Sequence, residues 1–325
     1  MRKTFNFQGF MVPLTGGLGN QIFQFSFALH YSHLAKLPYL LEESVANPRL
    51  TAGHASLCEL NLGDEPILTV SANGKLRRLA SKVYGWNLVN GINVRHPNFL
   101  YAGVLTNFIS KLVFFLATHF WARLHVSKGL GFDPEITKRG SRGIFVGYFQ
   151  TYKYSRPHEV FNKLMLLKPT HVSKSLSESI ATVDVIRPIL LHVRLTDYLA
   201  EDNFGVPDKS YYLESLRVLK GTGIDKPVWV FSDDIESAKK HLTGVEEEFQ
   251  LNFFESSKLS DVENWHLMRR FSAYVIANSS YSWWAAFLRK DQSAVVIYPQ
   301  PWFRDGEAPR DLIPLDWIPI RARER

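Results

Sequence analysis

Cysteine is nearly absent from this sequence, and the patterns of zinc-binding and P-loop proteins are absent as well. The single cysteine, Cys58, permits no disulfide within the chain, so the fold does not require an oxidising compartment. One cysteine and 11 scattered histidines give no zinc-binding spacing. No P-loop pattern of glycines followed by lysine and a hydroxyl residue occurs. These absences exclude disulfide scaffolds, zinc modules and Walker-type nucleotide binding.

Long hydrophobic runs and a secretory signal are also lacking. The amino-terminal residues are polar and aromatic, without the apolar stretch of a signal peptide. The most apolar window, residues 99–121, is interrupted by polar side chains such as Thr106 and Lys111, which makes it a poor bilayer span. It predicts a buried or partly amphipathic helix, with a membrane-surface helix as the alternative. The expected location is cytoplasmic, with peripheral contact to the inner face of a membrane left open.

The charge of the chain is basic but dispersed. Lysine and arginine number 38 against 31 acidic residues, a formal net charge of +7. Such a balance suits phosphate-bearing partners or anionic membranes. The basic residues are spread along the chain, without the run that is typical of a nucleic-acid-binding arm. Nucleic acid is therefore not an expected partner.

The order of predicted elements indicates two α/β domains. A chain of 325 residues exceeds one ordinary core. A glycine turn, Gly16–Asn20, separates an apolar strand at residues 10–14 from a largely buried helix. Further on, buried strands alternate with helices, which is typical of a doubly wound parallel sheet. The strands predicted there are residues 189–193, 228–231, 274–277 and 295–298. We place the two domains at residues 1–175 and 176–325.

The first candidate site segment is His192-Val193-Arg194-Leu195-Thr196-Asp197. It follows a buried strand, at the edge where such sheets bind ligands. Arg194 could clamp a diphosphate bidentately and stabilise the charge on a leaving phosphate. Asp197 could act as a base or could hold Arg194 in place. The pattern alone fits an ordinary strand end with a surface ion pair equally well.

The second candidate segment runs from Asn278 to Trp284 and joins a strand to a helix. Hydroxyls and backbone N–H groups at a helix start, here at Ser279 and Ser280, can bind an anion. The pattern alone favours plain capping of the helix by serine. The two tryptophans of the segment are more typical of helix packing than of sugar contacts.

Adjacent acids at Asp233 and Asp234 invite comparison with the Asp-x-Asp metal site of many sugar transferases. Here the two acids have no residue between them and lead directly into a helix. Helix capping and a favourable interaction with the helix dipole account for them. We therefore expect no metal ion at this pair.

Taken in order, these segments resemble the bacterial alpha-1,2-fucosyltransferases of glycosyltransferase family 11. The resemblance covers nearly the whole chain. It is carried by Gly16–Gln24, Gly147–Gln150 with Lys153-Tyr154, His192–Tyr198, Phe231–Asp234, Asn278–Trp284 and Trp302-Phe303.

The resemblance implies a GT-B-like fold of two Rossmann-type domains with parallel sheets. The amino-terminal domain would face the acceptor, and the carboxyl-terminal domain would bind the donor. The implied reaction moves L-fucose from GDP-fucose to the 2-hydroxyl of a galactoside, with inversion and with neither metal nor cofactor. A lipid-linked O-antigen or capsule unit is the expected acceptor. Another donor or linkage, or a non-catalytic carbohydrate-binding protein, are the alternatives.

The resemblance also assigns roles to individual residues. Arg194 would grip the diphosphate, His192 would lie against the guanine or its ribose, and Asn20 would approach the fucose or the diphosphate. Ser279 and Ser280 would bind the beta-phosphate. The full donor-binding set is Asn20, His192, Arg194, Asn264, Asn278, Ser279 and Ser280.

Two positions depart from the family pattern. Leu195 stands where a second arginine is expected. This implies one cation fewer at the diphosphate, with a lysine or arginine from elsewhere, or a site that needs only Arg194, as the alternatives. Asn264 stands where an acidic residue is expected to accept both N–H groups of guanine, while an amide offers only one oxygen. Glu263 or Asp261 are the alternatives for that role.

The catalytic pair implied by the resemblance is Arg194 and Asp197. Arg194 would stabilise GDP as it leaves, and the acceptor hydroxyl would attack the opposite face of the sugar. Asp197 is the first candidate base, with Glu201 and Asp202 as alternatives. A transition state with an advanced leaving group could also proceed without a strong base. Acceptor selection is expected in residues 40–140 and 199–209.

Overall fold

The chain forms two compact units. The computed structural model describes residues 9–43, 56–69, 124–127, 130–138, 142–196, 205–304, 308–309 and 311–322. The amino-terminal unit comprises Met1–Cys58, Leu62–Leu164 and Pro309–Leu312, and the carboxyl-terminal unit comprises Glu59–Asn61, Met165–Ala308 and Ile313–Arg325.

The amino-terminal unit contains a five-stranded sheet in which every strand pairing is parallel, in the order β3-β2-β1-β5-β4. Its strands are β1 (Phe10–Leu14), β2 (Tyr39–Glu43), β3 (Ile67–Thr69), β4 (Leu124–Val126) and β5 (Gly143–Val146). Its described helices are α1 (Leu18–Ala35), α2 (Pro134–Lys138) and α3 (His158–Met165), the last ending at the boundary between the units.

Helix α1 is buried on several faces because its apolar side chains are not confined to one stripe. Its buried residues include aromatic rings that pack against the sheet and the loop after β5. The ring of Phe27 stacks on Phe149 with 3.8 Å between centroids. Phe10 of β1 meets Tyr31 edge to face at 4.9 Å. These contacts confirm the prediction of a largely buried helix after the glycine turn.

The carboxyl-terminal unit contains a six-stranded parallel sheet in the order β11-β10-β9-β6-β7-β8. Its strands are β6 (Ile189–Val193), β7 (Val228–Ser232), β8 (Leu251–Phe253), β9 (Ala273–Val275), β10 (Val295–Gln300) and β11 (Ile318–Arg321). Its helices are α4 (Lys174–Ile186), α5 (Lys209–Gly221), α6 (Ile235–His241), α7 (Asp261–Met268) and α8 (Ser280–Phe287). Together with the first sheet, it confirms the predicted GT-B-like class of Rossmann-type α/β domains with parallel sheets.

The strands β8 and β11 were not predicted from the sequence. Both are edge strands of the sheet, and neither forms the continuous buried run that identifies a central parallel strand. Strand β8 has three half-buried residues, and β11 contains Pro319, which is tolerated at a sheet edge.

The main boundary between the two units lies between Leu164 and Met165, earlier than the predicted division after residue 175. Arg269 accounts for part of the difference, because its guanidinium donates hydrogen bonds to the carbonyls of Met165 and Leu167. The backbone N–H of Ser173 donates to Glu263 at 2.7 Å. Residues 165–173 are therefore tied to the carboxyl-terminal unit.

The predicted helix within residues 99–121 lies outside the described residues, and so does most of the segment at 40–140 that is expected to select the acceptor. Where the structure describes the chain, no helix combines the length and the hydrophobicity that crossing a membrane requires.

Candidate functional site

The carboxyl ends of β6 and β9 define the candidate site. These two strands are neighbours in the sheet, yet the chain proceeds from β6 towards β7 and β8 and from β9 towards β10 and β11. The connections therefore leave in opposite directions, which opens a crevice between them. In open α/β sheets, this topological switch point is where ligands bind. Both candidate segments of the sequence lie here, one after each strand.

Arg194 follows directly after β6 and is held by Asp233. Its Nε lies 3.3 Å from Oδ2 of Asp233, and about a quarter of the Arg194 side chain is exposed, at 24%. Asp233 comes directly after β7, and Ser232 pairs in register with Val193. The register therefore brings Asp233 beside Arg194. The pattern had suggested Asp197 as the residue that holds Arg194, but Asp197, like Glu201 and Asp202, lies outside the described residues.

The prediction that the acid pair caps a helix is correct for Asp234 and wrong for Asp233. Asp234 is the N-cap of α6 and accepts hydrogen bonds from the backbone N–H and the hydroxyl of Ser237, at 3.0 and 2.7 Å. The carboxylate of Asp233 turns the other way. It accepts from the backbone N–H groups of Leu195 and Thr196, each at 3.0 Å. The sequence analysis missed this role of Asp233. The signal that could have indicated it is the position of an acid directly after a buried strand.

His192 is the single polar side chain of β6, and it is buried. It is 4% exposed, and its ring lies 6.2 Å from that of Tyr281 between centroids. Burial, and then the charge of Arg194, lower the pKa of His192 to about 4, against the opposing effect of Asp233. His192 is therefore neutral at physiological pH and can offer a ligand hydrogen bonds without charge. Its predicted contact with guanine or ribose stays a prediction.

The neutrality of His192 predicts a loss of stability in acid. Its ordinary pKa is 6.5 and its folded pKa is lower, so the unfolded chain binds a proton first as the pH falls. Stability is complete above pH 6.5 and decreases towards pH 4, by on the order of 2 kcal/mol between pH 6.5 and 5 from this residue. Urea unfolding at several pH values should give a flatter profile for His192→Gln. His171→Gln, at an exposed histidine, is the control and should keep the steep wild-type profile.

The helix start after β9 is the second component of the site. Ser279 is the N-cap of α8 and is 6% exposed, but its side chain makes no capping hydrogen bond. Plain side-chain capping, which the pattern alone favoured, is therefore wrong. The first turn of a helix presents backbone N–H groups and a partial positive charge. The start of α8 at Ser280 thus has the chemistry of an anion-binding site.

Tyr281 links this helix start to the rest of the site. Its hydroxyl donates to the carbonyl of Asp261 at 2.6 Å, which joins the first turn of α8 to the first turn of α7. Burial raises the pKa of Tyr281 well above its usual range, with a further rise from Asp261 and an opposing effect from the nearby charge of Arg194. Arg194 follows β6 and α8 follows the neighbouring strand β9, so both lie at the same edge of the sheet.

Asn278 holds the backbone around the site. It is 4% exposed, and its amide donates to the carbonyls of Gly205 and Trp302, both at 3.1 Å. The resemblance at Trp302-Phe303 thus has a structural basis, since this loop is tied to the residue before Ser279. A direct contact of Asn278 with the donor stays a prediction.

Asn264, the expected base-recognition residue, is 6% exposed on α7. Its amide donates to the carbonyls of Ser256 and Leu259, at 2.8 and 3.2 Å. Its alternative Glu263 has both oxygens engaged, one by the backbone N–H of Ser173 and the other by that of Ser260. Glu263 therefore acts in the capping box of α7, and recognition of the base by Asn264 stays a prediction.

Leu195, the departure from the family pattern, points into the core. It is 3% exposed and belongs to the apolar cluster that includes Val193 and Tyr212. Its side chain therefore faces away from a ligand beside Arg194.

Trp283 and Trp284 are fully buried as well, and Trp283 stacks on Phe287 at 4.8 Å between centroids, which confirms helix packing for both.

The glycine turn belongs to the amino-terminal unit and is locked by side chains of α1. Gln24 is fully buried, exchanges hydrogen bonds with Thr15 and donates to the carbonyl of Gly147. Gln150 donates to the side-chain oxygen of Asn20 at 2.9 Å, which fixes the orientation of the Asn20 amide. The family-like residues around this turn therefore build a support for Asn20, whose contact with the donor stays a prediction.

Replacing Gly16 by alanine is expected to disrupt this support. Gly16 has a φ of +74°, and a Cβ there would lie 2.6 Å from Nδ2 of Asn20. The variant should lose about 2 kcal/mol in free energy of unfolding, because it adds a collision to the backbone strain. Gly63→Ala is the matched control, since Gly63 has a φ of +68° and open space around its Cβ. Equal losses for the two variants in urea titrations would mean that Asn20 moves aside without cost.

Comparison with known proteins identifies relatives of this chain. Residues 172–320 match the family model described as Glycosyl transferase family 11. An alpha-1,2-colitosyltransferase of Escherichia coli is 30% identical over 182 residues, which cover 54% of this chain and 62% of that relative. The O-antigen biosynthesis glycosyltransferase WbnK of Escherichia coli is 24% identical over 309 residues, which cover 89% and 93%. The solved fucosyltransferase NodZ from Bradyrhizobium is 13% identical with a TM-score of 0.42, covering 86% of this chain and 94% of that one.

The fold and the site first define a class, which is a doubly wound α/β domain with an arginine and a helix start at its switch point. Residues 172–320 match the model of glycosyl transferase family 11, so the carboxyl-terminal part of this chain is similar to that family. This similarity agrees with the resemblance that the sequence motifs indicated.

Proposed function

We propose that this chain is an inverting glycosyltransferase that moves L-fucose from GDP-fucose to the 2-hydroxyl of a galactoside in a surface glycan. The observation that carries the proposal is the convergence of Arg194 and the start of α8 at the switch point of a domain similar to family 11. A cation and a row of backbone N–H groups at the same crevice suit a diphosphate. The expected acceptor context agrees with the name of one relative, an O-antigen biosynthesis glycosyltransferase, and the expected linkage agrees with the name of the other, an alpha-1,2-colitosyltransferase.

In the proposed reaction, the bond between the anomeric carbon of fucose and the beta-phosphate oxygen breaks. Negative charge develops on GDP, and Arg194 together with the N–H groups at Ser280 stabilises it. The acceptor hydroxyl forms the new bond from the opposite face, which inverts the configuration. Its proton goes to a base, for which Asp197 is the first candidate, or to solvent. Arg194 and the helix start supply the positive charge, so the proposed reaction needs no metal ion.

A second candidate differs only in the donor sugar. The relative with 30% identity is an alpha-1,2-colitosyltransferase, which favours transfer of colitose as the alternative to fucose. A non-catalytic carbohydrate-binding protein, the alternative that the sequence left open, is distinguished from both by the absence of donor binding.

The test combines binding with turnover on the purified chain. Calorimetry should detect GDP binding, which a carbohydrate-binding protein without a donor site would not show. Transfer to a set of galactosides is then measured with fucosyl, colitosyl and mannosyl nucleotides, with linkage analysis of the product. We expect alpha-1,2-linked product from the fucosyl donor, and undiminished transfer in excess chelator. Faster transfer from the colitosyl donor would establish the second candidate, and absence of both GDP binding and transfer would refute the proposal.

We also propose that the acceptor is lipid-linked and that the chain works at the cytoplasmic face of a membrane, in peripheral contact with it. The net charge of +7 supports this part of the proposal. Flotation with anionic vesicles at low and high salt would test it, with salt-sensitive binding as the expected result.

A further inference from the structure

Asp233 contacts three consecutive residues of the segment after β6, through hydrogen bonds from Leu195 and Thr196 and an ion pair with Arg194. Its Oδ1 accepts from the backbone N–H of Leu195 at 3.0 Å. Its Oδ2 accepts from the backbone N–H of Thr196 at 3.0 Å and from the Thr196 hydroxyl, and it lies 3.3 Å from Nε of Arg194. Both carboxylate oxygens are therefore engaged, and the Asp233 side chain is only 14% exposed.

These contacts fix a backbone segment that the sheet does not hold. Strand β6 ends at Val193, so Leu195 and Thr196 lie beyond the last paired residue. Asp233 replaces the missing strand neighbour, because it follows the register partner of Val193 at the end of β7. The contact with Asp233 holds the Nε end of the Arg194 guanidinium. The planar geometry of a guanidinium suits bidentate binding of phosphate oxygens.

We propose that Asp233 is a positioning residue of the transferase site, which orients Arg194 and the backbone through Thr196 before the donor binds. The inference rests on the proposed function. A site that is organised before binding spends no energy on rearranging its charges during the reaction.

The chemistry of this position requires a carboxylate. Five donor groups approach Asp233, including the Ser232 hydroxyl at 3.4 Å, and a carboxylate offers two oxygens and no hydrogen of its own. An asparagine would turn an N–H group towards one set of these donors and would displace it. Burial alone would raise the pKa of Asp233, but the Thr196 hydroxyl, Arg194 and the two backbone N–H groups together lower it. The residue is therefore ionised at neutral pH.

Loss of the Asp233 charge and loss of the Arg194 position predict opposite effects of Asp233→Asn on the reaction. The substitution removes a negative charge next to Arg194, so an effect of charge alone would strengthen GDP binding and preserve kcat. A loss of position would lower kcat, because small displacements of a catalytic group cost up to about a hundredfold in rate. We expect a decrease in kcat of about a hundredfold, with the Kd for GDP within about threefold of the wild-type value.

Asp234→Asn is the matched control. It makes the same chemical change at the next residue, where the carboxylate caps α6 through Ser237. We expect a lower Tm and an unchanged kcat for this variant. A merely structural role for Asp233 would instead give both variants a lower Tm and a similar kcat.

Two variants of Thr196 keep the inference testable should Asp233→Asn not fold. Thr196→Val removes the hydroxyl that donates to Asp233, while Thr196→Ser retains it. We expect the valine variant to lose about tenfold in kcat and the serine variant to stay close to the wild type. Equal activity of the two would overturn the inference, as would an Asp233→Asn enzyme that is as active as Asp234→Asn.

The outcomes also separate this inference from the proposed function. Should the wild type and Asp234→Asn transfer sugar while Asp233→Asn does so equally well, only the role of Asp233 is refuted. Should the wild type neither bind GDP nor transfer any sugar, the proposed function fails, and the role of Asp233 fails with it.

Discussion

Replacing Arg194 by alanine is expected to lower kcat/KM for sugar transfer by about a thousandfold, close to 4 kcal/mol of transition-state stabilisation. Arg194 lies at the same sheet edge as the start of α8, where the proposed diphosphate gains negative charge as the sugar leaves. Its removal deletes the cation of the site, while the N–H groups of the helix remain. Initial rates with a saturating acceptor and varied donor give the value.

Three controls isolate the effect of Arg194. The alanine variant should keep a Tm close to the wild-type value, because the carboxylate of Asp233 retains its contacts with Leu195 and Thr196. Arg194→Lys keeps the charge but not the planar fork, and it should retain more activity than alanine yet fall at least tenfold below the wild type. Arg217→Ala removes an exposed arginine that pairs with Glu248 and should be fully active. Near-normal turnover of Arg194→Ala would refute the diphosphate role.

Replacing Arg269 by methionine is expected to destabilise the carboxyl-terminal unit by about 3–5 kcal/mol. Arg269 is 6% exposed and donates to the carbonyls of Met165, Leu167 and Leu288. Its guanidinium also lies over the ring of Trp265, 5.0 Å from the centroid. Burial lowers the pKa of Arg269 to about 10, which still leaves the group charged at neutral pH. Methionine fills much of the volume but leaves the carbonyls of Met165, Leu167 and Leu288 without this donor.

The neighbouring arginine provides the control for this prediction. Arg270 forms an ion pair with Asp184 and is 22% exposed, so Arg270→Met should cost about 0–1 kcal/mol. Urea unfolding followed by tryptophan fluorescence compares the two variants with the wild type. Similar midpoints for both would mean that water replaces the guanidinium at the carbonyls of residues 165–167.

Much of the carboxyl-terminal fold was predictable because buried parallel strands have a strong local signal. The strand at residues 189–193 was predicted with its observed bounds, since four apolar residues and one histidine between Pro188 and Arg194 are typical of a short buried strand. Strands β8 and β11 lacked that signal because edge strands need not be apolar throughout. The division between the units was placed too late, since the contacts of Arg269 join residues far apart in the chain.

Individual residues of the candidate site were predictable from the sequence, but the hydrogen bonds between them were not. Arg194 and Ser279 were found because polar residues after buried strands lie at the ligand-binding edge of such a sheet. The hydrogen bonds of Asp233 were not found, because helix capping accounts equally well for an acid in that sequence context. The same ambiguity led to the expectation of capping by the Ser279 side chain, which the structure does not contain.

The sequence by itself determined the α/β class, the resemblance to a family and the segments that carry the candidate site, because burial patterns and motifs are properties of neighbouring residues along the chain. Only the tertiary structure decided which acid holds Arg194. That choice depends on the register between β6 and β7, which places Ser232 opposite Val193 and Asp233 beside the arginine. Pairing between strands 39 residues apart, from Val193 to Ser232, is a property of the folded sheet, and no local pattern encodes it.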